Sequence, residues 1–231
     1  MRDAGSPRVA ESSRRFFKKH DTASLYGVTT PELRRLEREA FRQIEGQWEL
    51  AQAVAFAQSM IEVKQLEAKS FGLLTLSRFK LSYEPTLLGT AKRWLANGHC
   101  ANWATVDALC PLVLTPLVTA FPDLTPRVER WVRSKNLWVR RAAAVTFVPL
   151  ARRGERLDSA YRVSQALLGD AEDLIHKANG WLLRECGRTN RQRLTRFLLR
   201  FGPQIPRTTV RYAIERHPER ERKKLLVQTA R

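Results

Sequence analysis

From Glu49 to Phe79 the chain reads ELAQAVAFAQSMIEVKQLEAKSFGLLTLSRF, with Ala, Leu and Phe returning every three or four positions. That interval is the repeat of one face of an α-helix, and it predicts one or two amphipathic helices here. Upstream, TTPELRRLEREAF opens a helix with Thr30 as N-cap, Pro31 at the first helical position and Glu32 in the first turn. No stretch sustains the two-residue alternation of a half-buried strand, and no Asn-Gly or Asp-Gly pair marks a hairpin. The pattern predicts an all-α protein.

The helical pattern also repeats. NLWVRRAAAVTFVPLARR from Asn136 aligns with DLIHKANGWLLRECGRTN from Asp173, and RTTVRYAIERHPERERKK from Arg207 continues the series. CANWATVDALCPLVL comes about one period earlier. Helical units recurring every thirty-odd residues are the mark of a solenoid, close to the HEAT and armadillo lengths of about 40 to 47 residues. An irregular bundle is the alternative; the recurrence of basic residues at one register favours the solenoid. Arg140, Lys177 and Arg211 occupy equivalent positions in the three segments. The expectation is therefore a right-handed, HEAT-like solenoid with a concave basic surface, one domain over 15–231, preceded by a loose tail over 1–14.

Charge sets the kind of partner. The formal net charge is +18 and the pI about 10.8. The last part of the chain, 181–231, holds 14 Lys+Arg against 4 Asp+Glu. Such an excess says little about fold but points to a polyanion, DNA or RNA before an anionic membrane. Three cysteines, an odd number without a Cys-x-x-Cys pair, fit small buried thiols in a reducing compartment better than a disulfide framework. His99 adjoins Cys100 without a matching downstream ligand pair, so no metal site is expected. The N-terminal MRDAGSPRVAESSRR lacks the apolar core of a secretory signal. The uncharged run Ala108–Pro122 is shorter than the ~20 residues that span a bilayer. The reading is of a soluble, cytoplasmic protein, associated with the nucleoid through DNA.

One stretch runs against the charge. Between Ala101 and Pro122 there is no Lys or Arg, and the lone carboxylate is Asp107, one helical turn after Trp103. From the residues alone, Trp103 and Trp181 can be core, Asp107 can cap a helix before Pro111, and Arg141 can be a solvated surface charge. Trp48, Trp94, Trp131 and Trp138 are assigned to packing.

The segments NWATVDAL, NLWVRRAA and HKANGWLLRE, in this order, resemble the helical-repeat alkylpurine DNA glycosylases, the AlkD-like proteins, and YGVTTPELRRL is similar to their N-terminal segment. The similarity extends over about 25–220. The resemblance implies a catalytic aspartate at Asp107, indoles at Trp103 and Trp181 flanking the lesion sugar, and a phosphate contact at Arg141. Arg140, Lys177 and Arg211 join it as candidate DNA contacts. Where the family can have a tyrosine facing DNA, this chain has Phe16, to which no role is carried. The implied reaction is hydrolysis of the N-glycosidic bond of N3- or N7-alkylated purines in duplex DNA, by a monomer without metal or nucleotide cofactor. The alternatives are a non-catalytic helical-repeat binder of damaged or branched DNA, and a protein scaffold that would leave the charge unexplained.

Overall fold

The computed structural model describes residues 1, 3–17 and 23–230. Among the described residues the chain is helical, without a strand; a single bridge joins Ser24 to Gln65. Contacts divide it into two compact units, Met1–Ala120 and Phe121–Arg231, where the sequence led to the expectation of one domain.

The first unit contains α1 (Pro7–Arg14), α2 (Thr30–Ile44), α3 (Leu50–Glu62), α4 (Leu66–Ser77), α5 (Leu87–Ala96), α6 (Trp103–Leu109) and α7 (Thr115–Ala120). Helix α4 is its axis. Leu66, Ala68, Phe71, Leu73 and Leu76 are all buried, so it is apolar on nearly every side, as a central helix must be. It packs on α3 across small residues: a Cβ at Gly72 would come within 2.7 Å of the Met60 Cβ. It also packs against α2 and α6.

Two expectations shift here. The cap of α2 is Thr29, one residue before the one expected, and Thr29 contributes its backbone carbonyl to Leu33 N–H at 2.8 Å rather than a side-chain bond. The expected loose tail is instead largely helix α1. Ser6 N–H donates to the Gly27 carbonyl at 3.0 Å, and Ala10 is buried. Gly27 has φ +82°, and a Cβ there would lie 2.1 Å from the Ser6 carbonyl oxygen. Glycine is thus required twice over. The buried Glu67 carboxylate accepts from the N–H groups of Tyr26, Gly27 and Val28 at 3.1, 2.8 and 3.2 Å, which fixes the YGV segment.

The second unit contains α8 (Thr125–Glu129), α9 (Leu137–Val145), α10 (Val148–Arg152), α11 (Leu157–Ala166), α12 (Asp173–Thr189), α13 (Arg191–Phe201), α14 (Arg207–Ala213) and α15 (Glu219–Gln228). Side-chain hydrogen bonds tie its successive segments together. Hydrogen bonds from Arg141 to Leu174, Arg152 to Glu185, Arg162 to Glu129 and Thr209 to His176 all link residues 33 apart in sequence. Helix α12 packs on both α9 and α14, the helices of the preceding and following segments.

Much of the basic surplus of this unit serves structure. Glu185 is fully buried in α12, and Arg152, Arg184, Arg188 and Arg216 approach its carboxylate at 3.1, 3.4, 3.6 and 3.8 Å. Removing the anion leaves several guanidinium groups facing one another. Glu185→Ala should destabilise the folded protein by about 3 kcal/mol, read by chemical denaturation; an unchanged midpoint would show that solvent already screens the cluster.

The cysteines Cys100, Cys110 and Cys186 are buried, and burial pushes the Cys100 and Cys186 thiols up to about 12. Cys100 and Cys186 are thus held as protonated thiols in apolar surroundings.

Candidate active site

The NWATVDAL segment forms α6 because Asn102 caps it. The Asn102 Oδ1 accepts from Thr105 N–H at 2.8 Å and from Thr105 Oγ1 at 3.1 Å. Asp107 therefore lies inside the helix and is not its N-cap. Thr105, Val106 and Leu109 are buried on the packed side, where α6 meets α4. Trp103 and Asp107, four apart, share a half-buried face. Asp107 has an interaction partner in the folded chain, so the lack of a nearby cation in the sequence does not leave it isolated.

Pro111 shapes the next turn. It has no N–H to give the Asp107 carbonyl four residues back. The helix reopens as a π turn over Cys110–Leu114, closed by Thr115 N–H on the Cys110 carbonyl. Trp103–Ala120 is apolar enough on average to pass for a membrane span, with a mean hydropathy of 1.4. Yet Val106, Leu109, Val113, Leu114 and Leu117 are wholly buried inside the first unit.

Sequence reasoning missed one aromatic residue beside Trp103. Phe17 stacks on the indole with ring centroids 5.2 Å apart and planes 24° from parallel. Phe16, the residue aligned with the family tyrosine, is 76% exposed. The FF pair was visible in the sequence, but nothing local tells which ring turns inward.

In the second unit, Asn136 caps α9, its Oδ1 accepting from Trp138 and Val139 N–H at 2.9 and 3.2 Å. The two arginines of this helix diverge. Arg141 is 5% exposed, and its Nη1 donates to the Leu174 carbonyl at 2.6 Å. Arg140 bonds Asp170 at 2.6 and 3.3 Å and the Ser134 and Lys135 carbonyls at 3.0 Å each. With its donors so engaged, Arg140 braces two turns of the chain.

Helix α12 carries Lys177 and Trp181. Lys177 pairs with Asp173 at 2.8 Å, and that hydrogen bond raises its pKa, so it stays charged. Trp181 is half-buried, and its Nε1–H is buried without a hydrogen-bond partner among the described residues. Arg211 is exposed on α14. Gly180, just before Trp181, lets α12 and α14 meet. A Cβ there would lie 2.4 Å from the Tyr212 Cβ and 2.8 Å from the Thr209 carbonyl oxygen. Neither atom is the end of a flexible side chain. Gly180→Ala should cost about 2 kcal/mol and lower the melting temperature; an unaltered melt would mean the two helices separate freely.

The packing assignments divide as well. Trp94 and Trp131 are buried, whereas Trp48 and Trp138 are only half-buried, so Trp138 is not the core residue it was expected to be.

Among curated proteins none matches this chain. A solved structure described as a predicted DNA alkylation repair enzyme from Enterococcus faecalis superimposes with a TM-score of 0.78 at 16% identity, covering 93% of this chain and 97% of that one. At that identity the likeness speaks for the fold. The family model for DNA alkylation repair enzymes matches residues 1–217, and the chain belongs to that family.

Proposed function

We propose that this protein is a DNA glycosylase that removes N3- or N7-alkylated purines from duplex DNA. The observation that carries the reading is Asp107 beside Trp103 on the half-buried face of α6. Alkylation at N3 or N7 makes the purine cationic and a good leaving group, so the base needs no general acid. Charge then develops on the sugar as an oxocarbenium-like cation, and a fixed carboxylate stabilises it and positions water. Asp107 takes that role. Trp103, held by its stack on Phe17, offers an indole face to the cation, an interaction worth roughly 0.5 to 2 kcal/mol. The π turn next to Asp107 supports the reading, since such bulges are frequent at functional sites.

Trp181, on α12, is proposed as a contact to the substrate DNA. A buried donor with no hydrogen-bond partner among the described residues fits a residue whose partner arrives with the substrate. Arg141 is assigned to a phosphate, with a guanidinium already oriented by the Leu174 carbonyl. Lys177 and Arg211 supply salt-dependent contacts to the backbone. Arg140 is left out, being engaged elsewhere.

The test is to incubate the protein with duplex DNA treated with a methylating agent and to count abasic sites. Their accumulation with time supports the glycosylase. Tight binding with no abasic sites would instead identify a non-catalytic binder.

A further inference from the structure

In the second unit, α11 and α13 enclose an open groove of about 910 Å³ that plays no part in the proposed reaction. The residues assigned to that reaction in this unit lie on α9, α12 and α14. Three rings form the groove's floor. Tyr161 and Phe197 lie 5.1 Å apart, and Phe197 and Phe201 4.9 Å apart, between centroids. Arginines cover it. The Arg193 guanidinium sits over the Tyr161 ring at 4.4 Å, and Arg200 over Phe201 at 5.2 Å.

A charged helix face in a basic protein is commonly no more than solvated surface, and two features separate this one from that case. First, Arg193, Arg196 and Arg200 stand at i, i+3 and i+7 on α13, a row about 10 Å long on one side of the helix. Among the described residues, neither Arg196 nor Arg200 has a carboxylate partner, whereas Arg193 bonds Asp158 at 2.6 Å and Arg162 bonds Glu129 at 2.7 Å. The row therefore keeps uncompensated positive charge. Second, the Arg193 and Arg200 guanidinium groups are held over rings, and guanidinium planes, like aromatic rings, are stacking surfaces for unpaired bases. Asn190, which also lines the groove, uses its Oδ1 to cap α13 through Arg193 N–H at 2.8 Å, leaving its amide N–H groups to donate.

We propose that the α11–α13 groove binds single-stranded nucleic acid, its phosphates on Arg196 and Arg200 and its bases against the guanidinium groups and rings of the groove. A duplex presents phosphates to such a surface but keeps its bases stacked inside, so it makes no use of the flat faces. The inference is independent of base release: it uses other helices and other residues.

The experiment is fluorescence anisotropy with the full chain and a labelled oligothymidylate of about 12 nucleotides, a length within the range that single-strand grooves occupy. The double variant Arg196→Glu/Arg200→Glu should weaken that binding at least about tenfold while weakening a duplex of the same length less than about threefold. Both side chains are exposed, so the fold should persist; a melt checks this, and Arg196→Gln/Arg200→Gln serves if the charge reversal unfolds the chain. An oligomer of the same length without bases should bind wild type at least about tenfold more weakly than oligothymidylate, because stacking is lost. Single-strand affinity within twofold of wild type in the folded variant would overturn the proposal. So would equal losses for single strand and duplex, or equal affinity for the oligomer without bases.

Discussion

Replacing Asp107 by Asn should slow base release from alkylated duplex DNA by about 10²- to 10³-fold, equivalent to roughly 3 to 4 kcal/mol of transition-state stabilisation. DNA affinity should stay within a few-fold of wild type. The amide keeps the size of the carboxylate on the face of α6 that it shares with Trp103, so the shape of the site is preserved. The full negative charge is lost, and with it the attraction for the cation that forms on the sugar. Single-turnover kinetics with the DNA saturated separate this from a binding defect. A folded Asn variant that releases base at the wild-type rate would remove Asp107 from the mechanism.

The second large effect is a contrast among tryptophans. Trp94 is 1% exposed and its indole N–H donates to Gln58, so Trp94→Ala opens a cavity and strands an amide, and should cost roughly 3 to 5 kcal/mol. Trp103 and Trp181 are half-buried and leave smaller voids. Trp103→Ala also loses the stack on Phe17, worth about 1 kcal/mol beyond area, so its cost should be about 1 to 2 kcal/mol. Trp181→Ala frees an unsatisfied N–H and should cost no more. Activity should rank the other way: both half-buried variants should lose base release while folded, and Trp94→Ala should lose it only as far as it unfolds. Denaturation midpoints and release rates on the three proteins check this. If Trp103→Ala and Trp181→Ala unfold as badly as Trp94→Ala, the indoles are core residues.

The same tryptophans show what a sequence conveys. Spacing at threes and fours reveals helices because it reports one buried face, and Asn102 and Asn136 announce their helices through local bonds. Side-chain bonds between residues 33 apart join neighbouring segments of the second unit. What remained hidden depends on partners distant in sequence. The polar α1 gives little helical signal and is held by the Ser6–Gly27 bond. Arg140 reads as a free basic residue until Asp170, 30 positions away, is placed beside it. Glu185 looks like a solvated helix charge until Arg152 and Arg216, from outside its helix, are placed beside it. Trp94 and Trp138 are alike in sequence, but only the first has neighbours on all sides.

Of the site, the Trp103–Asp107 pairing was legible from its spacing, whereas the Phe17 stack was not, since it joins residues on separate segments. In the folded chain Asp107 also has an interaction partner, which its place in the linear sequence does not reveal.

The most direct measurement is the identity of what leaves the DNA. A duplex carrying a single 7-methylguanine or 3-methyladenine is incubated with the wild-type protein, and the small-molecule fraction is analysed by chromatography and mass spectrometry. Free methylated base is expected, with an abasic site left at that position and undamaged purines untouched. Intact lesions in DNA that the protein has bound, or a product still carrying its sugar, would contradict it.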